Sequence, residues 1–541
     1  MSGPVILFGL DGATYTVLDD LVGRGVMPYL GRFMASGARA VLHSTVPPLT
    51  PPAWTTLVTG RSPGHHGITN FLQYESSDTR YVRVISSREV RCETIWSMVN
   101  RHGLQAGCLN FVAHGPAPKI QGYVVPGWLS WRWVKKYSHP AGLIDGFRND
   151  IAGFDVKELA MDFQQEHKAV AGARIEDPES WVDMHIRRER QWFNILHHQM
   201  QHEPCALVGI VFDGVDKLQH LLWEYLDPAM EPEQPSQEFL RIREKCWDYF
   251  RRIDHYLEST VESAGPDAHV LVVSDHGFAG SHEVVYINTW LEQQGYLTWK
   301  PNAKVAPEDS HELGDGNPYH LTELDWSCTR AFASSAGSNG IHIAVRGVRG
   351  DEGIAPSDYD AFRNELMEAL RTRCVDPNTG EPLVTELWTR EEAFSGSGAD
   401  LAPDITLALR DHGFFSVLRG KQVLKTRPMV IGTHHPEGIL IAGGPRVQAG
   451  EAPEPLEMVD IAPTLLYALG LPVPADLEGT AATGLFTREY VESHPVQRGA
   501  ATVPPAHWSS DLGSEKDEPE RLDAEGEAEV LMRLKALGYI E

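Results

Sequence analysis

Short apolar runs alternate along this chain with longer stretches whose apolar positions recur at helical spacing. Val5–Leu10, Cys205–Phe212, His269–Ser274 and Ile439–Ala442 are apolar at nearly every position. That is the pattern of parallel strands covered on both faces. Between them, stretches such as Phe239–Ser263 carry helical periodicity. Strand alternating with helix predicts a doubly wound, mostly parallel α/β sheet with helices on both faces. Residues 1–114, 201–295 and 401–492 supply this core in three parts. Residues 115–200 read as a mostly helical cap insertion, rich in Trp, His and Arg. Residues 296–400 read as a second insertion, with a polar loop at Pro307–Asn317, a strand at Ile341–Val345 and a helix at Asp358–Thr372. Residues 493–541 read as a linker (Ser493–Glu520) followed by a C-terminal amphipathic helix (Ala524–Tyr539).

Three of the strand-like runs end in acid. Asp11 follows the first, Asp213 and Asp216 follow the second, and Asp275 follows the third. In an open α/β sheet the functional crevice lies at the carboxyl ends of the strands. Three strands therefore deliver carboxylates to one edge.

The 541 residues leave ample length for a buried core, and 42% of them are apolar, as in ordinary globular chains. Acids outnumber bases by 74 to 47, a net charge of −27. Such a surface repels polyanions and anionic lipid, so neither a nucleic-acid polymer nor a membrane is expected as partner. The six cysteines are widely spaced and none forms a CxxC pair, which argues against a disulfide scaffold or a thiolate zinc site. No apolar run approaches the roughly 20 residues of a membrane span. The N-terminus has no basic region before its first apolar run, and a cytoplasmic protein is expected.

Four segments carry candidate chemistry: Asp11 in LDG; Thr50 ahead of Pro51-Pro52; Asp216 and His220 in FDGVDKLQH, with Asp275-His276 in SDHGF; and His434 in GTHHPEG. Asp and His together suit zinc or manganese. Asp216 and His220, four apart, share a face if a helix begins there. Asp275 and His276 converge only on a turn, which Gly277 permits. Thr50 precedes prolines suited to a first helical turn and so reads as an N-cap beside free N–H groups. Each piece alone also has an ordinary reading: a helix cap, a turn former, a solvated helix face, a surface histidine. Together they fall on one predicted edge in a recurring order.

That order resembles the alkaline phosphatase superfamily, and within it the type I phosphodiesterase/nucleotide pyrophosphatase branch with its related phosphohydrolase/phosphomutase proteins. The resemblance runs from Val5 to about Gly479 and includes Thr56–Ile68, Asp460–Pro474 and the terminal LKALGYIE. It implies a two-metal phosphoric ester hydrolase acting on small phosphate esters, with phosphodiesters or nucleotide pyrophosphates preferred. Asp216, His220 and His434 would hold one divalent ion; Asp11, Asp275 and His276 would hold the other. Thr50 would bind the second ion and act as covalent nucleophile. Zn²⁺ is the first expectation and Mn²⁺ the second. A phosphomonoesterase or phosphomutase on the same site, and a non-catalytic metal-binding relative, are the alternatives. A sulfatase is disfavoured, because Leu49–Trp54 holds neither the Cys nor the Arg of that branch's nucleophile setting.

One departure bears on the substrate. The phosphodiesterase branch places an Asn three residues after the nucleophile to contact a phosphate oxygen, whereas this chain has Ala53. Asn110 and Lys135 are the candidate replacements. Trp54, Trp128 and Trp131 are candidates to stack on a base or an aryl leaving group.

Overall fold

The computed structural model describes residues 3–74, 82–160, 166, 177–307, 313, 319–348, 350, 352–452 and 454–505. The C-terminal helix expected at Ala524–Tyr539 lies outside these residues, as do most of the linker before it and most of the Pro307–Asn317 loop. The strands that position the site are β1 (Val5–Leu10), β2 (Ala38–His43), β3 (Ala106–Leu109), β4 (Gly122–Val125), β5 (Leu207–Phe212), β6 (His269–Val273), β7 (Gly277–Val285), β8 (Leu424–His435) and β9 (Glu437–Gly443). All but β7 and β8 belong to one nine-stranded sheet, ordered β2-β9-β6-β1-β5-β3-β4, with two short segments along its β2 edge. β1 lies at its centre, parallel to both β5 and β6.

Every residue of β1 is buried, and alternate side chains enter different cores. Ile6, Phe8 and Leu10 face one layer; Val5 and Leu7 face the other. The first layer holds helices Pro178–His202 and Gln237–Ala264, and the second holds Thr50–Thr59, Ile95–Asn100 and Ile461–Ala468. This explains the unbroken apolar runs: a strand covered twice has no polar face.

One strand runs against expectation. The apolar run Ile439–Ala442 predicts a parallel strand, but β9 pairs antiparallel with both β2 and β6. The cause lies in how the chain arrives. β7 leaves the carboxyl edge directly after Asp275-His276, and β8 returns along it antiparallel, bringing His435 opposite Gly277. The chain is then already at the carboxyl edge, and β9 must run back down.

Within 115–200 the helices are Trp131–Tyr137, Leu143–Asp150, Val156–Leu159 and Pro178–His202, while β4 in the same stretch is an edge strand of the main sheet. Trp181 and Trp192 are core residues of the long helix, so part of the aromatic richness here is packing. Within 296–409 a separate four-stranded antiparallel sheet (Ala331–Ala333, Gly340–Ile343, Ile405–Leu409, Val384–Thr389) packs with the helix Tyr359–Arg373 around a third core. Leu49, next to Thr50, belongs to that third core. None of the six cysteines is bonded to another. No helix among the described residues is long and apolar enough to cross a membrane.

Candidate metal centre and nucleophile

The candidate ligands sit where strands end. Asp11 follows β1, and the next residue, Gly12, adopts φ +67°, a left-handed turn that favours glycine. The turn aims the Gly12 N–H at Asp275 Oδ1, 3.0 Å away. After β5 the chain enters the helix Gly214–Leu226, which places Asp216 and His220 one turn apart on the same face. Asp275 and His276 occupy the bend between β6 and β7, and His434 comes from β8. Gly277 matters here for space, since a Cβ on it would stand 2.0 Å from the Glu437 carbonyl oxygen. Thr50 is the first residue of its helix; the capping position belongs to Leu49, whose backbone is extended. Thr50 is therefore one position inside the expected cap, with its hydroxyl free for other partners.

The imidazoles are oriented by backbone carbonyls. His220 Nδ1 lies 3.2 Å from Gly432 O, His434 Nδ1 2.8 Å from Pro48 O, and His276 Nδ1 3.1 Å from Gly277 O. A carbonyl only accepts, so each Nδ1 must carry the hydrogen, leaving each Nε2 a bare lone pair. These lone pairs converge. His220 Nε2 and His434 Nε2 are 3.1 Å apart and lie 3.3 Å and 3.2 Å from Asp216 Oδ1. His276 Nε2 is 3.3 Å from Asp275 Oδ2 and 3.7 Å from Asp11 Oδ1. Asp11 Oδ1, Asp216 Oδ1 and Asp275 Oδ2 are buried without a hydrogen-bond partner.

Six acceptor atoms thus face one another in a buried site, a set that could hold a cation. Ligand atoms of Asp216, His276 and His434 lie within 4.8 Å of one another, as do those of Asp11, Asp275 and His276. His276 belongs to both groups. Thr50 Oγ1 stands 3.3 Å from His276 Nε2, at the same focus.

Protonation energetics agree with this picture. Burial, reinforced by Asp275 and Asp216, pushes the Asp11 carboxyl well above the usual carboxylate range. Burial likewise raises Asp275. Burial also acts upward on Asp216, but His220 and Lys217 beside it hold this carboxyl well below its ordinary value. His276 is driven well below the ordinary histidine range by burial and by His434, and burial lowers His434 too. His276 and His434 are thus neutral, the form in which imidazole binds metal.

The expected substrate contacts scatter. The Trp54 N–H donates to Asp11 Oδ2 at 3.1 Å, and its buried ring packs edge-on against Phe111. It orients the candidate ligand Asp11 and is too buried to offer a face for stacking. Asn110, at φ 62°, donates from its amide to Val211 O at 2.7 Å and Asp213 Oδ1 at 3.2 Å, facing inward. Lys135 is exposed and pairs with Asp145 at 2.8 Å. Trp131 is half-buried at the start of the helix Trp131–Tyr137, with Arg132 and Lys157 over its ring. Trp128 stays near the centre, between Phe71 and the ammonium of Lys217.

Two residues absent from the sequence reading enter the site. Lys217 is buried, 3.2 Å from Asp216 Oδ2. Arg188 is buried behind it, donating to Asp213 Oδ2 at 3.0 Å and Glu166 Oε1 at 2.6 Å. Lys217 lies between Asp216 and His220 in sequence, but nothing there shows that its side chain turns inward. Arg188 sits in the Arg-rich run Arg187–Arg190, where nothing local marks it apart.

Comparison with known proteins follows the geometry. The family model for type I phosphodiesterase/nucleotide pyrophosphatase matches residues 5–437. A crystal structure of phosphonoacetate hydrolase from Sinorhizobium meliloti 1021 in complex with phosphonoformate is similar over 86% of this chain and 95% of its own, with a TM-score of 0.52 and 17% identity. Murine ectonucleotide pyrophosphatase/phosphodiesterase 5, an inactive threonine-to-alanine variant in complex with AMP, is similar over 90% of this chain and 100% of its own, with a TM-score of 0.51 and 14% identity. These likenesses show a shared, alkaline phosphatase-like fold. No curated protein matches the sequence.

The tight seat of Gly277 yields a stability prediction. A methyl there must displace the Glu437 carbonyl or His276, and overpacking of this kind costs about 1–3 kcal/mol. Gly277→Ala is expected to lower the urea midpoint of unfolding and to weaken divalent-metal binding in titration calorimetry. Wild-type values for both would show that β9 yields without cost.

Proposed function

The chain belongs to the type I phosphodiesterase/nucleotide pyrophosphatase family and is a phosphoric ester hydrolase, and on that premise we propose that it works in two steps through a covalent phosphothreonine at Thr50. The observation that carries this reading is the convergence of acceptor-only Asp and His atoms on the Thr50 hydroxyl. Two divalent ions, Zn²⁺ first and Mn²⁺ second, would be held by Asp216, His220 and His434 and by Asp11, Asp275 and His276, and when bound they supply Lewis-acid charge for alkoxide and phosphoryl oxygens.

Thr50 Oγ1 attacks phosphorus, its bond to the leaving oxygen breaks, and the Thr50 proton ends on the departed alcohol. Water then hydrolyses the phosphothreonine, releasing phosphate or a monoester and restoring the hydroxyl. The helix beginning at Thr50 adds its positive end on the phosphoryl side. Its contribution of roughly 0.3–1 kcal/mol does not ionise a threonine by itself. Trp54 holds Asp11 by its N–H, and the three backbone carbonyls hold the imidazoles. These contacts keep the ligand set in place through turnover.

Family membership supports diesters or nucleotide pyrophosphates as preferred substrates. The murine relative, whose inactive threonine-to-alanine form is in complex with AMP, supports a threonine nucleophile in this fold. On this reading residues 115–200 and 296–400 are insertions that set substrate choice. The supports are Trp128 beside Lys217 and Leu49 in the accessory core.

Removal of metal tests the ion dependence. Chelator-treated protein is expected to lose turnover of p-nitrophenyl esters, to melt at lower temperature and to recover both with Zn²⁺ or Mn²⁺, since a bound ion stabilises the fold by its binding free energy. Full turnover in protein shown metal-free by elemental analysis overturns it.

Thr50→Ala is expected to fold, keep its metal and lose several orders of magnitude in kcat, while Thr50→Ser keeps part of the rate. Acid quenching during turnover of a slow substrate, followed by peptide mass spectrometry, should find the adduct on Thr50. An adduct on any other residue refutes the assignment.

A further inference from the structure

Among the described residues, Lys217 is the cation that the fold drives into the ligand set. Its backbone is fixed from two sides. Its N–H donates to Asp213 O at 3.3 Å, and its carbonyl accepts from the Trp181 indole N–H at 3.2 Å. The side chain is buried and its ammonium reaches Asp216 Oδ2 at 3.2 Å. A lysine ammonium has three N–H donors. One serves Asp216. The Trp128 ring centroid lies 4.3 Å away and takes one side of the charge as a cation–π contact. Among the described residues no other oxygen accepts from this ammonium, so donor capacity is left over inside a closed site. A buried ammonium with donors to spare is costly unless an acceptor arrives.

The place where that capacity is offered is specific. Asp216 turns Oδ2 to Lys217 and Oδ1 to the imidazoles. His276, in ligand-atom range of Asp216, is 3.3 Å from Thr50 Oγ1. The ammonium is therefore separated from the nucleophile by one carboxylate and one imidazole. The indole Nε1 of Trp128, beside it, is also buried without a partner. Two unspent donors from different elements thus stand side by side next to Asp216. Meanwhile Ala53, on the Thr50 helix, is fully buried, its side chain has no polar atom, and its N–H is spent on Leu49 O. Asn110 has committed its amide hydrogens elsewhere.

We propose that Lys217 binds a non-bridging oxygen of the phosphoryl group being transferred, with Trp128 Nε1 as a second donor. Together they supply the contact that Ala53 cannot make. The inference rests on the hydrolase reading above and adds a rule of recognition. The anchor is a full charge, so it acts more strongly on a dianionic monoester than on a monoanionic diester. Asp216 holds the ammonium in place before the substrate arrives.

The experiment uses the full chain loaded with Zn²⁺, as wild type, Lys217→Met, Lys217→Arg and Trp128→Phe. Inorganic phosphate binding is measured by titration calorimetry and metal content by elemental analysis. Turnover of p-nitrophenyl phosphate and bis-p-nitrophenyl phosphate is followed in parallel. Lys217→Met is expected to keep its metal and to bind phosphate about 10–100-fold more weakly, the range for one hydrogen bond to a charged group. Its kcat/KM should fall further for the monoester than for the diester. Lys217→Arg should restore part of the binding, and Trp128→Phe should show a smaller loss. Two results overturn the proposal. One is unchanged phosphate affinity in Lys217→Met. The other is metal lost in step with activity, which would make Lys217 a support for Asp216 alone. Failure of the hydrolase reading looks different: loaded wild-type protein would then neither bind phosphate nor turn over either ester.

Discussion

Three backbone carbonyls decide the character of this site. Gly432 O, Pro48 O and Gly277 O each take the Nδ1 hydrogen of one histidine and so expose three Nε2 lone pairs to three carboxylates. Without those carbonyls the rings could flip or carry the hydrogen on Nε2, and the centre would satisfy itself with ordinary hydrogen bonds. With them it is a buried cluster of acceptors that only positive charge completes. The fold around it serves this arrangement. Gly432 is on β8, Pro48 leads into the Thr50 helix and Gly277 opens β7. The register of β8 against β7 therefore fixes two of the three rings, and the same register sets the reversed direction of β9.

The fold was legible because its physics is local and repetitive. Val5–Leu10 is apolar at each position because each side of the central sheet is covered, and an acid directly after such a run stands out as something a strand end must present. The same contrast marked Asp11, Asp216, Asp275 and their histidine neighbours, and the structure brings all of them together. The direction of β9 was not legible. Ile439–Ala442 has the same composition whichever way it runs, and its direction depends on where β8 delivers the chain.

Substrate-side residues were harder to read, for a different reason. Trp54, Asn110 and Lys135 were chosen by chemical type, but what a side chain does depends on which of its donors are already spent. Trp54 spends its N–H on Asp11, Asn110 spends its amide on Val211 and Asp213, and Lys135 spends its charge on Asp145 at the surface. None of these partners is near in sequence except Asp145, ten residues on. Lys217 is the converse. In sequence it is an ordinary lysine on an amphipathic helix, and only the sheet edge shows that its helix turns that face inward.

Charge explains why a cation belongs there. The chain carries a net charge of −27, and an anionic ester approaching it meets a repulsive field. Inside, Asp11, Asp213, Asp216 and Asp275 converge within two turns of chain from three strand ends, so the bare site is more hostile still. Arg188 answers Asp213, by a bond at 3.0 Å, and Lys217 answers Asp216. Both are rooted on long helices packed under the sheet edge, where their positions are set by core packing. Bound divalent ions would reverse the sign at the ligand cluster. On the proposal above, the ammonium beside Trp128 would add to that positive charge on the phosphoryl side. In an acidic protein, attraction for the substrate has to be built locally, from buried charge held within a few ångströms of the reacting atoms. There, the low polarisability of the surroundings makes each charge count for more than the many exposed carboxylates outside.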